Sequence, residues 1–158
     1  MHTELHLRAE FLNALTHGVG ALLSLIGGVS LITMASIWGS KWQLISAIVF
    51  SLSLIGLYTS STLYHSTHEP KAKGRLQILD HCMIYVLIAG SYTPFTLIAM
   101  REDGGWLIFG ITWTLALIGI IFKLFYTGRF EVLSTLIYLG MGWLVIFAAG
   151  PMLRNVGT

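Results

Sequence analysis

Three groups of polar residues interrupt an otherwise apolar chain, and their types and spacing suit metal or acid–base chemistry. Glu10, Asn13 and His17 stand at i, i+3 and i+7, which sets them in one narrow stripe of a helix. Tyr58, Ser61 and His65 repeat that spacing. Asp80 opens a further apolar stretch, and Ser91, eleven residues on, returns to within about 20° of its direction at about 100° per residue. His65, as a neutral imidazole, can ligate zinc, and Asp80 can bind the metal or its water. Zinc lowers the pKa of a bound water toward about 7, which makes hydroxide available beside a lipid carbonyl. Ser61, one turn before His65, can hydrogen-bond a substrate or an oxyanion. A tetrahedral site needs about three protein ligands, and these stripes supply one well-placed histidine. His68 falls in a polar turn and His81 points about 100° away from Asp80, so both read as surface residues.

Each residue also has an ordinary structural reading. Glu10 complements the dipole at a helix N-terminus, Asp80 can cap a helix, and His65 can cover the end of one. The chemical reading rests on convergence, because stripes on three helices fall at the same end of their elements. Arg101, Glu102 and Asp103, at the opposite end, read as solvated loop charges.

The positioning elements follow from composition. The chain has 158 residues, 55% hydrophobic and 10% charged, with mean hydropathy +0.77. Soluble domains carry about 25% charged residues, so the chain reads as an integral membrane protein forming one transmembrane domain over residues 1–158. Five apolar stretches, at about 12–38, 43–65, 79–100, 106–126 and 132–151, are long enough to cross roughly 30 Å of hydrocarbon as helices. Membrane β-barrel strands would instead alternate over about 10 residues. The expected architecture is an all-α, polytopic transmembrane helix bundle.

The connections read as Gly39 to Lys41, Ser66 to Gln77 with Pro70 and Gly74 as breakers, Arg101 to Gly105, and Thr127 to Glu131. Lys123 sits just inside the fourth span, where its stem can snorkel to the headgroups. Gly20, Ser24 and Gly28 form a small-residue ridge for close helix packing, read as internal to the bundle.

Charge sets orientation and excludes partners. With the amino terminus in the cytoplasm, the inner side holds Arg8, Lys71, Lys73, Arg75, Lys123 and Arg129, against Lys41, Arg101 and Arg154 outside. The polar stripes then lie near the cytoplasmic leaflet of a cell membrane. A net charge of +2 is too small and scattered to indicate nucleic acid, leaving membrane lipid as the expected partner. Cys82 is the only cysteine, so an intrachain disulfide and a Cys-rich zinc cage are excluded. The first apolar run, Val19 to Trp38, has 20 residues and exceeds a signal h-region of about 7–15.

These residues resemble the haemolysin III family, within the superfamily that includes the adiponectin and progestin membrane receptors. Glu10-x-x-Asn13-x-x-x-His17 looks like its first motif and Ser61-x-x-x-His65 like its second. Leu79-Asp80-His81-Cys82-Met83-Ile84-Tyr85, followed by Ala89-Gly90-Ser91-Tyr92-Thr93-Pro94-Phe95, looks like its bacterial third helix. The resemblance implies a seven-helix bundle with an inner amino terminus, zinc ligation by His65, and Asp80 holding the metal's water. It also implies two further ligands from a His-x-x-x-His motif on a seventh helix. The chain ends at Thr158 after five spans, with no histidine after His81 to supply such a motif. It is therefore expected to be a carboxyl-truncated member whose zinc site is incomplete.

Three functions follow from the resemblance. One is a zinc-dependent hydrolase of lipid amides or esters, as proposed for relatives. Another is a receptor-like or lipid-homeostasis protein with a structural zinc. The third is a cytolytic, pore-forming membrane protein. The chain shows no barrel-strand pattern and no soluble prepore segment, which ranks a resident membrane protein ahead of a pore.

Overall fold

A computed structural model describes residues 2–126 and 131–146, which form an up-and-down helical bundle. Its elements are α1 (His2–Trp38), α2 (Lys41–Ser66), α3 (Pro70–Pro94), α4 (Trp106–Tyr126) and α5 (Glu131–Trp143). Among the described residues four helices are long and apolar enough to cross a membrane, and α5 adds a shorter apolar one. The second half of the fifth expected span and the connection at 127–130 lie outside the described residues.

Local chemistry fixes each boundary. Helix α1, with 37 residues, is about 55 Å long at 1.5 Å per residue, so it outruns the hydrocarbon. Its helix starts well before the apolar stretch at residue 12. Helix α2 opens on a capping box: Gln43 N–H donates to Ser40 Oγ, and Ser40 N–H donates to Gln43 Oε1. It stops where Thr67 turns extended.

The segment Ser66 to Gln77, expected as one long turn, is mostly helix. Glu69 is the N-cap of α3, its carboxylate accepting from Lys71 N–H at 3.0 Å and Ala72 N–H at 2.6 Å. Pro70 takes the first helical position, where its missing N–H leaves nothing unpaired. Gly74 sits inside the helix. The true connection is Thr67 to Glu69, and α3 gains more than two turns at its start. At its other end α3 reaches Pro94, which cannot donate to the ladder. Two π-helical turns follow, Phe95–Ala99 and Arg101–Gly105, broken at Gly104 with φ +84°.

Helix α2 packs between α1 and α3, and α3 packs against α2, α4 and α5. Small side chains permit this. Gly20 meets the Tyr58 ring and Gly28 meets Ser51, so the ridge on α1 serves the α1–α2 contact. Ser46, Ser51, Ser53, Ser60 and Ser61 are buried along α2. The deepest apolar cluster is Tyr85, Ala89, Ala116 and Met141 from α3, α4 and α5. Tyr85 packs against Tyr138 with ring centroids 4.4 Å apart and the planes tilted by 46°. At the α1 C-terminal end, Lys41 and Arg101 lie over the Trp42 ring, which also meets Trp106. That grouping suits a headgroup boundary. Arg101 also pairs with Glu102 at 3.0 Å, both exposed, as expected of solvated loop charges.

Candidate functional site

At the end where α1 and α3 begin and α2 stops, three helices meet through charged side chains. Glu10 on α1 is the hub, its side chain 16% exposed. His65, in the last turn of α2, places Nδ1 3.3 Å from Glu10 Oε2. Lys73, in the first turn of α3, brings Nζ to 2.6 Å from the same oxygen. The ammonium also donates to the Tyr64 and Thr67 carbonyls, at 3.2 and 3.3 Å, and lies over the Tyr64 ring. Carbonyls at a helix C-terminus lack intrahelical partners and carry partial negative charge, so the end of α2 is a natural seat for this cation.

The pairing assigns a proton. A carboxylate already accepting from an ammonium is an acceptor only, so the nitrogen facing it must be the donor. Neutral His65 therefore carries its proton on Nδ1 and a lone pair on Nε2. His17, two turns further along α1, stands with its ring 5.6 Å from that of His65 and edge-on to Tyr58 at 5.8 Å. Its Nδ1 is buried without a hydrogen-bond partner among the described residues. His6 approaches Glu10 Oε1 at 4.0 Å from an exposed position.

The other expected members divide. Asn13 is exposed, and no side-chain contact ties it to the cluster among the described residues. Ser61 is buried, at 3% exposure. Asp80 is buried at 9% exposure. Among the described residues no hydrogen bond joins it to His65, whose carboxylate partner is Glu10. Asp80 instead lies within electrostatic reach of Tyr138 on α5. Ser91 donates to its own helix at Leu87 O. His68 is exposed, as its turn position implied.

Two residues sit deeper than the sequence suggested. His81 is half-buried, its Nδ1 enclosed and its carbonyl accepting from Tyr138 Oη at 3.2 Å. Lys123 is 3% exposed and does not snorkel. Both line a cavity of about 350 Å³ between α3, α4 and α5, with Gln77, Ser134, Thr135 and Tyr138. The faces they occupy are turned toward neighbouring helices, and spacing along one helix does not reveal its neighbours.

Lys73 is the member that sequence reasoning missed. Its signal was Glu69-Pro70, an N-cap followed by proline at the first helical position. That pair starts α3 early enough to bring Lys73 onto a helix beside α2.

Among the described residues, no three His, Cys, Asp or Glu side chains converge closely enough to hold a metal ion. The donor chemistry fits zinc at one position, since His65 offers an Nε2 lone pair while a carboxylate holds its other nitrogen, the usual companion of a metal-bound imidazole.

Comparison with known proteins places the chain. It is 49% identical over 150 residues to a hemolysin-3 homolog of Bacillus subtilis, covering 95% of the chain and 70% of that relative. It is 48% identical over 149 residues to hemolysin-3 of Bacillus cereus, covering 94% and 68%. A human monocyte to macrophage differentiation factor is 27% identical over 144 residues, covering 83% of the chain and 56% of that protein. No solved structure matches. The haemolysin-III related family profile matches residues 5–158, and with its apolar helices the chain is a multi-pass membrane protein belonging to that family.

Proposed function

We propose that this chain is a resident of the cell membrane, amino terminus in the cytoplasm, that acts on membrane lipid through a zinc site near the inner face. His65 would be the ligand this chain presents, Asp80, as the family resemblance implies, would hold the metal's water, and Ser61 would hydrogen-bond the substrate. The observation carrying this reading is the Glu10 contact with His65 Nδ1 at 3.3 Å, which leaves on Nε2 the lone pair a metal would take. When bound, zinc supplies Lewis acidity toward a lipid amide or ester carbonyl. The chain's own residues hold the imidazole in one orientation and keep the site inside the bundle. The ligand count is incomplete among the described residues, and about three tenths of each Bacillus relative lies outside the match.

Purified protein in lipid nanodiscs tests the reading. Turnover of a lipid amide or ester should vanish in His65→Ala and Asp80→Ala variants that still insert. Loss of stability on chelation, with no product from any form, would point to a structural metal. A second reading, membrane lysis, draws on the printed name of the Bacillus cereus relative. It requires dye leakage from vesicles that survives chelation.

A further inference from the structure

We infer that Glu10 is a positioning residue for His65, fixing its tautomer with the proton on Nδ1 and the lone pair on Nε2, and that Lys73 holds Glu10 in place. The inference rests on the proposed role of His65 as a ligand, and it adds two residues that act through it.

The geometry makes the argument. One carboxylate oxygen, Glu10 Oε2, takes both bonds: 2.6 Å from Lys73 Nζ and 3.3 Å from His65 Nδ1. An ammonium has no acceptor capacity and a carboxylate no donor capacity, so the order Lys73 to Glu10 to His65 admits one proton arrangement. Each member comes from a different helix, and each is held at its base. Glu10 is flanked on α1 by His6 at 4.0 Å. Lys73 is held by two α2 carbonyls and the Tyr64 ring. His65 is braced by Tyr64 at 4.7 Å and His17 at 5.6 Å between ring centroids. A ring held on two sides and bonded at Nδ1 presents Nε2 in one direction. Carboxylate partners of this kind raise ligand basicity, and their loss costs roughly 10–100-fold in metal affinity.

The test reads the tautomer directly. Side-chain nitrogen-15 NMR of the full chain in detergent, without added metal, should show His65 Nδ1 as the protonated nitrogen. Glu10→Ala should abolish that preference. Glu10→Gln, whose amide can present either its oxygen or its N–H to Nδ1, should give an intermediate preference, and that graded response separates positioning from a merely structural charge. Lys73→Met leaves Glu10 in place and should broaden the His65 signals without inverting them, which covers the case of a Glu10→Ala variant that fails to fold. Zinc titration then gives a second readout, with affinity falling roughly 10–100-fold in Glu10→Ala and partly recovering in Glu10→Gln. A wild-type His65 protonated on Nε2, or a tautomer indifferent to Glu10→Ala, overturns the inference. The expected tautomers in a wild type that takes up no zinc would uphold the positioning and overturn the zinc reading instead.

Discussion

Replacing Lys73 with methionine should loosen the junction of α1, α2 and α3 more than removing a solvated charge elsewhere. The ammonium sits 2.6 Å from Glu10 Oε2, with side chains 27% and 16% exposed. Exposed ion pairs contribute about 0–1 kcal/mol, whereas stranding one partner of a fully buried pair costs about 3–5 kcal/mol. Partial exposure puts this pair between those limits, near about 2 kcal/mol. Methionine keeps the stem's packing on Tyr64 but leaves Glu10 with His65 as its remaining close donor. Reversible unfolding in mixed micelles, followed by helical circular dichroism, measures the loss. The double variant Glu10→Gln, Lys73→Met strands no charge, so its destabilisation should fall short of the sum of the singles by about 1 kcal/mol or more. Glu102→Gln, which removes the exposed partner charge of Arg101, should stay within about 0.5 kcal/mol. Additivity of the two hub variants within about 0.5 kcal/mol would refute the coupling. So would a Lys73→Met variant as stable as Glu102→Gln.

Two other predictions concern the bundle that carries the site. Gly119 faces the fully buried Tyr85 ring with no room for a Cβ, so Gly119→Ala should destabilise by about 1–3 kcal/mol. Gly110→Ala, with open space around it, should be neutral or up to about 1 kcal/mol stabilising; thermal unfolding of the pair checks both signs. Tyr92 Oη lies 2.9 Å from the Met141 and Gly142 carbonyls in the last turn of α5. Tyr92→Phe should cost about 0.5–1.5 kcal/mol and speed amide exchange in α5 ahead of α1, read by hydrogen-exchange mass spectrometry.

The bundle was legible because hydrocarbon allows few choices. Long uncharged runs must be helices, so four spans and the apolar start of a fifth appear where hydropathy put them. The α2–α3 connection was misjudged because Pro70 and Gly74 were read as breakers, although proline at the first helical position starts a helix. That error hid Lys73, whose role depends on α3 beginning at Pro70. The pairing of Glu10 with His65 was half legible: both stripes were visible, and the i, i+7 spacing put His17 on the same face. Which carboxylate His65 would choose depends on how α1 and α3 sit around α2, and a single chain's periodicity carries no such azimuth. The same gap explains His81 and Lys123, whose burial comes from α5 closing over α3 and α4.

Whether His65 is a metal ligand is decided by the zinc affinity of the purified protein, measured by competition with a chromophoric chelator. Wild type is expected to bind zinc, and His65→Ala to lose most of that affinity while keeping its helical content. Equal zinc affinity in the two proteins, or none in either, would contradict that role.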